Sequence, residues 1–294
     1  MTATARPGAR PVTRRATGTR SGAPGSASLA DLVPAATPAA PAAPPLGADL
    51  LAVLTRMRLP YLRAAAPQVL ATARAQRWDP AEVVRVLLSE EITGRDAATR
   101  RTRRKSAGLP AGKTFASWRA ADSSIPPGTQ TGLATLEWIG RAENLAVAGP
   151  SGTGKSHFVE AIAHKVIDAG MRVAWFTLES LTATIGRAAV DGTVAKTIAR
   201  IARAELIVID DIGMLPAGQA AGEAFYRLID AAYERRSVAV TSNLHPAGFD
   251  TIMPKTLATA TVDRLLHHAH VVLTEGTSLR LAEATAGAGV IPLT

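Results

Sequence analysis

The chain has 294 residues, a formal net charge of +9, 47% hydrophobic residues and no cysteine. That length suits one α/β domain with a smaller module, and the absence of thiols excludes disulfides, zinc–thiolate centres and cysteine nucleophiles. No apolar run approaches the roughly 18–20 residues needed to span a bilayer, and the start has no signal-peptide apolar core, so the expectation is a cytoplasmic protein with no membrane partner. The charge points to a polyanion such as nucleic acid, because each phosphate neutralised releases condensed counterions. A general bias towards Arg in an Ala-, Gly- and Pro-rich chain would give the same excess.

Residues 1–46 are Pro, Ala, Gly, Ser and Thr with Arg6, Arg10, Arg14, Arg15 and Arg20 interspersed. They hold too few large apolar side chains to offset ordering entropy, which predicts a disordered basic tail. Residues 47–113 read as a helical module. Leu50, Leu51, Val53, Leu54 and Met57 form one apolar stripe, and Leu62, Val69 and Leu70 a second. Asp79-Pro80-Ala81-Glu82 predicts a helix start with an N-cap Asp, a proline at the first position and a capping-box Glu. The module ends in Arg95, Arg100, Arg101, Arg103, Arg104 and Lys105. These are candidate contacts to DNA phosphates if they lie along one face, and otherwise a solvated linker. Residues 114–143 form a connector with an Ile125-Pro126-Pro127-Gly128 turn and a short helix through Leu133, Leu136, Trp138 and Ile139. Its Trp118 either stacks on a nucleotide base or packs in the core.

The sequence then reaches Gly149-Pro150-Ser151-Gly152-Thr153-Gly154-Lys155-Ser156, followed by His157. The G-x-x-x-x-G-K-[ST] spacing, preceded by apolar residues 145–148 and followed by a helical pattern, predicts a phosphate-binding loop between a strand and a helix. Glycines let several backbone N–H groups converge on a polyphosphate at a helix N-terminus. Lys155 is expected to reach the β- and γ-phosphates and Ser156 to ligate Mg2+. Further strands are predicted at 173–176, 206–209, 238–241 and 271–273, with one helix ending at Gly170 and another over 223–236. Strands alternating with helices make a parallel five-stranded sheet covered on both faces. The 206–209 strand ends in Asp210 and Asp211, aimed at the crevice onto which the loop opens. Asp210 would complete the Mg2+ shell, and Asp211 would orient or deprotonate a water. Asn243, at the next strand tip, would hold that water and the γ-phosphate without adding negative charge, or simply start a turn. Arg264 could supply charge to a neighbouring subunit's nucleotide, or be ion-paired. His267, His268 and His270 match no common zinc spacing and are expected to be structural.

Residues 149–156, Asp210-Asp211, Thr241-Ser242-Asn243-Leu244 and the Asp263-Arg264-Leu265-Leu266-His267-His268-Ala269-His270 string closely resemble the IstB-like ATP-binding proteins. These are AAA+ ATPases that assist insertion-sequence transposases and are related to DnaC and DnaA. The resemblance spans about residues 48–283. It implies an AAA+ P-loop NTPase fold with ATP and Mg2+ as cofactors, assembly as a homo-oligomer on duplex DNA, and a partner transposase. By motif, Lys155 and Ser156 bind nucleotide and Mg2+, Asp210 is the magnesium-side carboxylate, Asp211 the catalytic one, Asn243 a sensor and Arg264 an arginine finger. Asp211 stands where AAA+ proteins usually have Glu, which would slow hydrolysis and suit a switch. No lid domain is expected after Leu273, although Arg280 could approach the nucleotide. The expected division is 1–46 tail, 47–113 helical module, 114–143 connector, 144–283 ATPase domain and 284–294 C-terminal tail. Helicase loading on the same core is the alternative within this class. A small-molecule kinase would need an acceptor pocket and a closing lid, and a scaffold shaped by ATP without hydrolysis is a further alternative.

Overall fold

The computed structural model describes residues 43–110, 112–213 and 218–280. The expected tails, residues 1–42 of the first and all of 284–294, lie outside the described residues, as does any lid beyond Arg280. The chain divides at Pro44, and the unit from Pro45 onwards carries the elements below.

In chain order these are α1 (Ala48–Arg56), α2 (Pro60–Gln76), α3 (Pro80–Ala107), α4 (Pro127–Ala134), α5 (Glu137–Gly140), β1 (Asn144–Ala148), α6 (Lys155–Asp168), β2 (Val173–Thr177), α7 (Leu178–Val190), α8 (Val194–Ile201), β3 (Leu206–Ile212), α9 (Gly218–Ala232), β4 (Ser237–Ser242), α10 (Lys255–Leu266) and β5 (Ala269–Leu273). The strands form one parallel sheet in the order β2-β3-β4-β1-β5. β1 pairs with β4 through Leu145↔Ala239 and with β5 through Leu145↔His270. Near-continuous apolar strands such as Leu206-Ile207-Val208-Ile209 suit a sheet buried on both faces. Successive residues indeed serve opposite layers. Ile207, Ile209, Val238 and Val240 pack with Leu181, Phe225, Leu228 and Leu265 of α7, α9 and α10. Leu145, Val147, Leu206 and Val208 pack with Phe158, Ile162, Leu133 and Trp138. The 114–143 segment thus joins the same core, with Trp138 Nε1 donating to Leu133 O at 3.0 Å.

α9 runs from Gly218 to Ala232, earlier at both ends than the 223–236 expected from its apolar pattern. Glu234 at φ 56° adopts a left-handed conformation that cannot continue a helix, so the chain turns there into β4.

In the helical module, Asp79 accepts from Ala81 N at 2.8 Å as an N-cap with Pro80 at the first position. The expected capping box is not completed. Glu82 instead pairs with Arg85 one turn on, an opposite charge that a cap N–H does not match. Glu91, buried on α3, accepts from Tyr61 N at 2.9 Å and Leu62 N at 2.8 Å, the free donors of the first turn of α2. Burial pushes its carboxyl up, but those two N–H groups and the Arg95 guanidinium hold it below the ordinary value. The apolar stripe on α1 is buried only at Leu54, whereas Leu50, Leu51, Val53 and Met57 are exposed. The small cluster of Leu54, Leu62 and Ala66 offers one side for α1 to cover.

Candidate active site

Five segments meet at the C-terminal ends of β1, β3 and β4. The loop after β1 is turned by Gly149 (φ 146°), Gly152 (φ 84°) and Gly154 (φ 90°), where side chains are strained. Space excludes them as well. A Cβ on Gly149 would stand 2.1 Å from Thr274 O, and one on Gly152 would stand 2.1 Å from Ser278 Oγ. Residues after β5 therefore strap this loop. Thr274 N donates to Ala148 O at 2.8 Å, Leu279 N donates to Gly152 O at 3.0 Å, and the hydroxyls of Thr153 and Thr274 bond at 2.7 Å.

Lys155 opens α6, and its Nζ donates to Gly149 O at 2.8 Å, Pro150 O at 2.7 Å and Asn243 Oδ1 at 3.0 Å. Burial pushes this ammonium below its ordinary pKa, against the opposing pull of Asp211 and Asp210. Its charge and the N-terminus of α6 stand together at this loop, an arrangement that suits an anion. Ser156 Oγ donates to Asp210 Oδ1 at 2.8 Å, and Thr241 Oγ1 donates to the same oxygen. Asp210 is buried at 7% exposure.

Successive strand residues normally face opposite ways, yet Asp210 and Asp211 both serve this cleft. A register shift between Ile209 and Ile212, with Asp211 at φ 61°, makes that possible. A left-handed non-glycine residue costs about 1–2 kcal/mol, offset here by Asp211 N donating to Thr241 Oγ1 at 3.0 Å. Partial burial, and then the charge of Asp210, push the Asp211 carboxyl above its ordinary range. A carboxyl so placed is a better proton acceptor than a solvated Asp.

Asp211 and Asn243 line one cleft with Lys155, Ser156, Trp118 and Arg280. Trp118 packs against the core, as one of its two readings expects. Its indole packs 5.4 Å from the Phe158 ring and donates to Gln130 Oε1 at 2.8 Å, while its edge faces the cleft next to Gly154. His157 lines the same cleft, its ring bonded to Ser117 Oγ at 3.2 Å. Gly149, Pro150 and Thr153 form the loop's far wall through the contacts above. Thr241, which ties both acidic residues together, and the strap at 274–279 had no assigned role in the sequence. A Thr two residues before the strand-tip Asn was the only signal.

Arg264 does not line the cleft of its own chain. On the last turn of α10, its Nε reaches Asp230 Oδ1 at 3.1 Å and its guanidinium carbon lies 5.3 Å from the Tyr226 ring centre. The basic residues lie on α3 and do not share one face, because 100° per residue spreads the six around the helix. Arg95 pairs with Glu91 at 2.7 Å. Arg103 donates to Gly170 O, and Arg104 bonds Asp168 and His164 Nδ1, docking the end of α3 on α6. Arg101 and Lys105, one turn apart, are exposed, and Arg100 is half-buried. His270 bonds Glu143 at 2.8 Å against Trp138, as structural packing implies. His267 and His268 are exposed beside Glu234. Among the described residues no helix is long and apolar enough to cross a membrane.

Residues 52–286 match the family model of the IstB-like ATP binding protein. The chain is 32% identical over 240 residues to an insertion sequence IS21 ATP-binding protein of Pseudomonas aeruginosa, covering 80% of this chain and 89% of that one. It is 28% identical over 238 residues to an IS21-like ATP-binding protein of Bacteroides fragilis, covering 79% and 89%. Among solved structures, the DnaC helicase loader aligns with a TM-score of 0.43 at 15% identity over 55% of this chain and 97% of that one. Replication initiator DnaA bound to AMPPCP and single-stranded DNA aligns with a TM-score of 0.47 at 16% identity over 60% and 55%.

Proposed function

The chain belongs to the IstB-like ATP-binding protein family, and from that premise we propose that it hydrolyses ATP in this cleft, assembles with further copies of itself on duplex DNA, and acts beside the transposase of an insertion sequence. The observation that carries the reading is the convergence of Lys155, the Ser156–Asp210 pair, Asp211 and Asn243 around one glycine loop, with Ser156 Oγ and Asp210 Oδ1 2.8 Å apart.

The donor set fits a hard divalent cation, since Ser156 and Asp210 bring two oxygens together beside the phosphate loop. When held there by Ser156 and Asp210, Mg2+ would supply positive charge that offsets the negative charge of the phosphates. Lys155 exchanges its bonds to the loop carbonyls for phosphate oxygens. Trp118, held by Gln130, flanks the base, and Arg280 adds charge at the cleft wall. Asn243 orients a water, and Asp211 accepts its proton as the water oxygen bonds to the γ-phosphorus and the bond to the β-phosphate oxygen breaks, releasing ADP and phosphate.

Arg264 stands outside its own cleft, exposed in part and balanced by Asp230. An adjoining copy's cleft can recruit it, making hydrolysis depend on assembly. Arg101 and Lys105 offer exposed charge for DNA phosphates. The insertion-sequence relatives support the transposase as partner. Measuring binding and hydrolysis of Mg2+·ATP with and without duplex DNA tests this. Lys155→Ala should lose nucleotide binding and ATP-dependent DNA binding together. A Lys155→Ala chain that still assembled on DNA in response to ATP would end the reading.

A further inference from the structure

The histidine pair at the end of α10 has a third neighbour that lies far away in sequence. Glu234, from the turn between α9 and β4, lies beside His267 and His268, and one donor atom from each of the three falls within 4.8 Å of the others. All three are exposed. We propose that Glu234, His267 and His268 form a site for one divalent transition-metal ion of the zinc class, independent of the nucleotide cleft.

Two imidazoles and one carboxylate with open positions are a donor set for Zn2+ and its first-row neighbours rather than for Mg2+ or Ca2+, which prefer oxygen alone. The backbone is arranged to bring these donors together. Glu234 (φ 56°) and His268 (φ 56°) both hold left-handed conformations that side chains seldom adopt. The Nδ1 of His267 lies 3.8 Å from Glu234 Oε1 and 2.9 Å from the Tyr233 hydroxyl, so this nitrogen is the one that faces the carboxylate. With the phenol donating, Nδ1 carries the lone pair, and an ion taken up beside the carboxylate would replace the phenol hydrogen there. The rings of His267 and His268 lie 3.9 Å apart, close enough for both to reach one ion.

The position gives the site a consequence. His267 caps α10, which carries Arg264, and Glu234 follows α9, which carries the Asp230 that holds Arg264. A metal at Glu234, His267 and His268 would tie the ends of these two helices and fix the corner that presents the guanidinium.

The test uses the full chain without an affinity tag, titrated with Co2+ followed by visible absorption and with Zn2+ followed by calorimetry and thermal melting. The parent should take up one equivalent saturably and melt higher with Zn2+. His267→Ala, His268→Ala and Glu234→Gln should each weaken binding at least about tenfold and lose the Zn2+-dependent rise in melting temperature. His245→Ala, on another segment, should bind as the parent does. Because the three side chains are exposed, melting without metal should be unchanged and serves as the folding control. No saturable uptake by the parent, or variants that bind like it, would overturn the proposal.

Discussion

At the cleft, side chains from separate strands hold one another. Lys155 reaches Asn243, Ser156 and Thr241 share Asp210, and Thr241 also steadies the backbone of Asp211. The module of α1–α3 contrasts with this. Its own cluster is Leu54, Leu62 and Ala66, one carboxylate ties α3 to the start of α2, and Val84, Leu88 and Ile92 stand exposed along α3, as do the uncovered residues of α1. The cleft is set by contacts within one chain. The module and Arg264, by contrast, carry surface charge and apolar area that a partner could use. Where contacts close on themselves, geometry is fixed before ligand arrives. Where they do not, the proposed assembly would have to supply the missing contacts.

Substitutions can break this contrast in order of effect. Arg264→Ala should lower ATP turnover about a thousandfold or more while leaving ATP affinity near the parent value, measured by steady-state hydrolysis and equilibrium nucleotide binding. Asp211→Asn should slow hydrolysis by about 10²–10⁴-fold and leave complexes that persist on DNA, followed by dissociation kinetics. Because the Asp211 carboxyl is pushed above its ordinary value and acts deprotonated, parent turnover should fall as pH drops through an apparent pKa above the usual Asp range, and Asp211→Asn should remove that limb. Arg101→Gln with Lys105→Gln should reduce the salt slope of DNA binding by about 2 (0.9 per phosphate contact). Arg103→Gln with Arg104→Gln should instead lower melting temperature, because those two dock α3 on α6. An unchanged slope in the first pair would move the DNA surface elsewhere.

The smallest effect belongs to Glu91. Its folded pKa lies below the ordinary value of 4.5, so its contribution is present above that value and is lost as pH falls through the lowered one. Glu91→Gln should melt lower than the parent at neutral pH, with the gap closing in acid.

The sheet and the phosphate loop were legible because they are local. Apolar runs of strand length, the glycine spacing and the acidic strand tip each state their role within a few residues. The Asp79 cap was legible for the same reason. What was hidden depends on pairing across the sequence. Thr241 acquires meaning only because β4 lies beside β3, and Thr274 and Ser278 only because β5 ends beside the loop of β1. Glu234 meets His267 because α9 packs against α10. The α1 stripe had the right period for burial, but period says nothing about whether a neighbour exists to cover it.

Hydrolysis in mixtures of Arg264→Ala and Lys155→Ala chains addresses most directly the proposal that one copy's guanidinium completes another copy's cleft. Each variant alone should be nearly inactive. Mixed with duplex DNA present, they should regain a substantial fraction of parent turnover, since intact Arg264 from the Lys155→Ala chain meets an intact cleft on the other. A mixture no faster than its two components, or an Arg264→Ala chain as active as the parent, would contradict it.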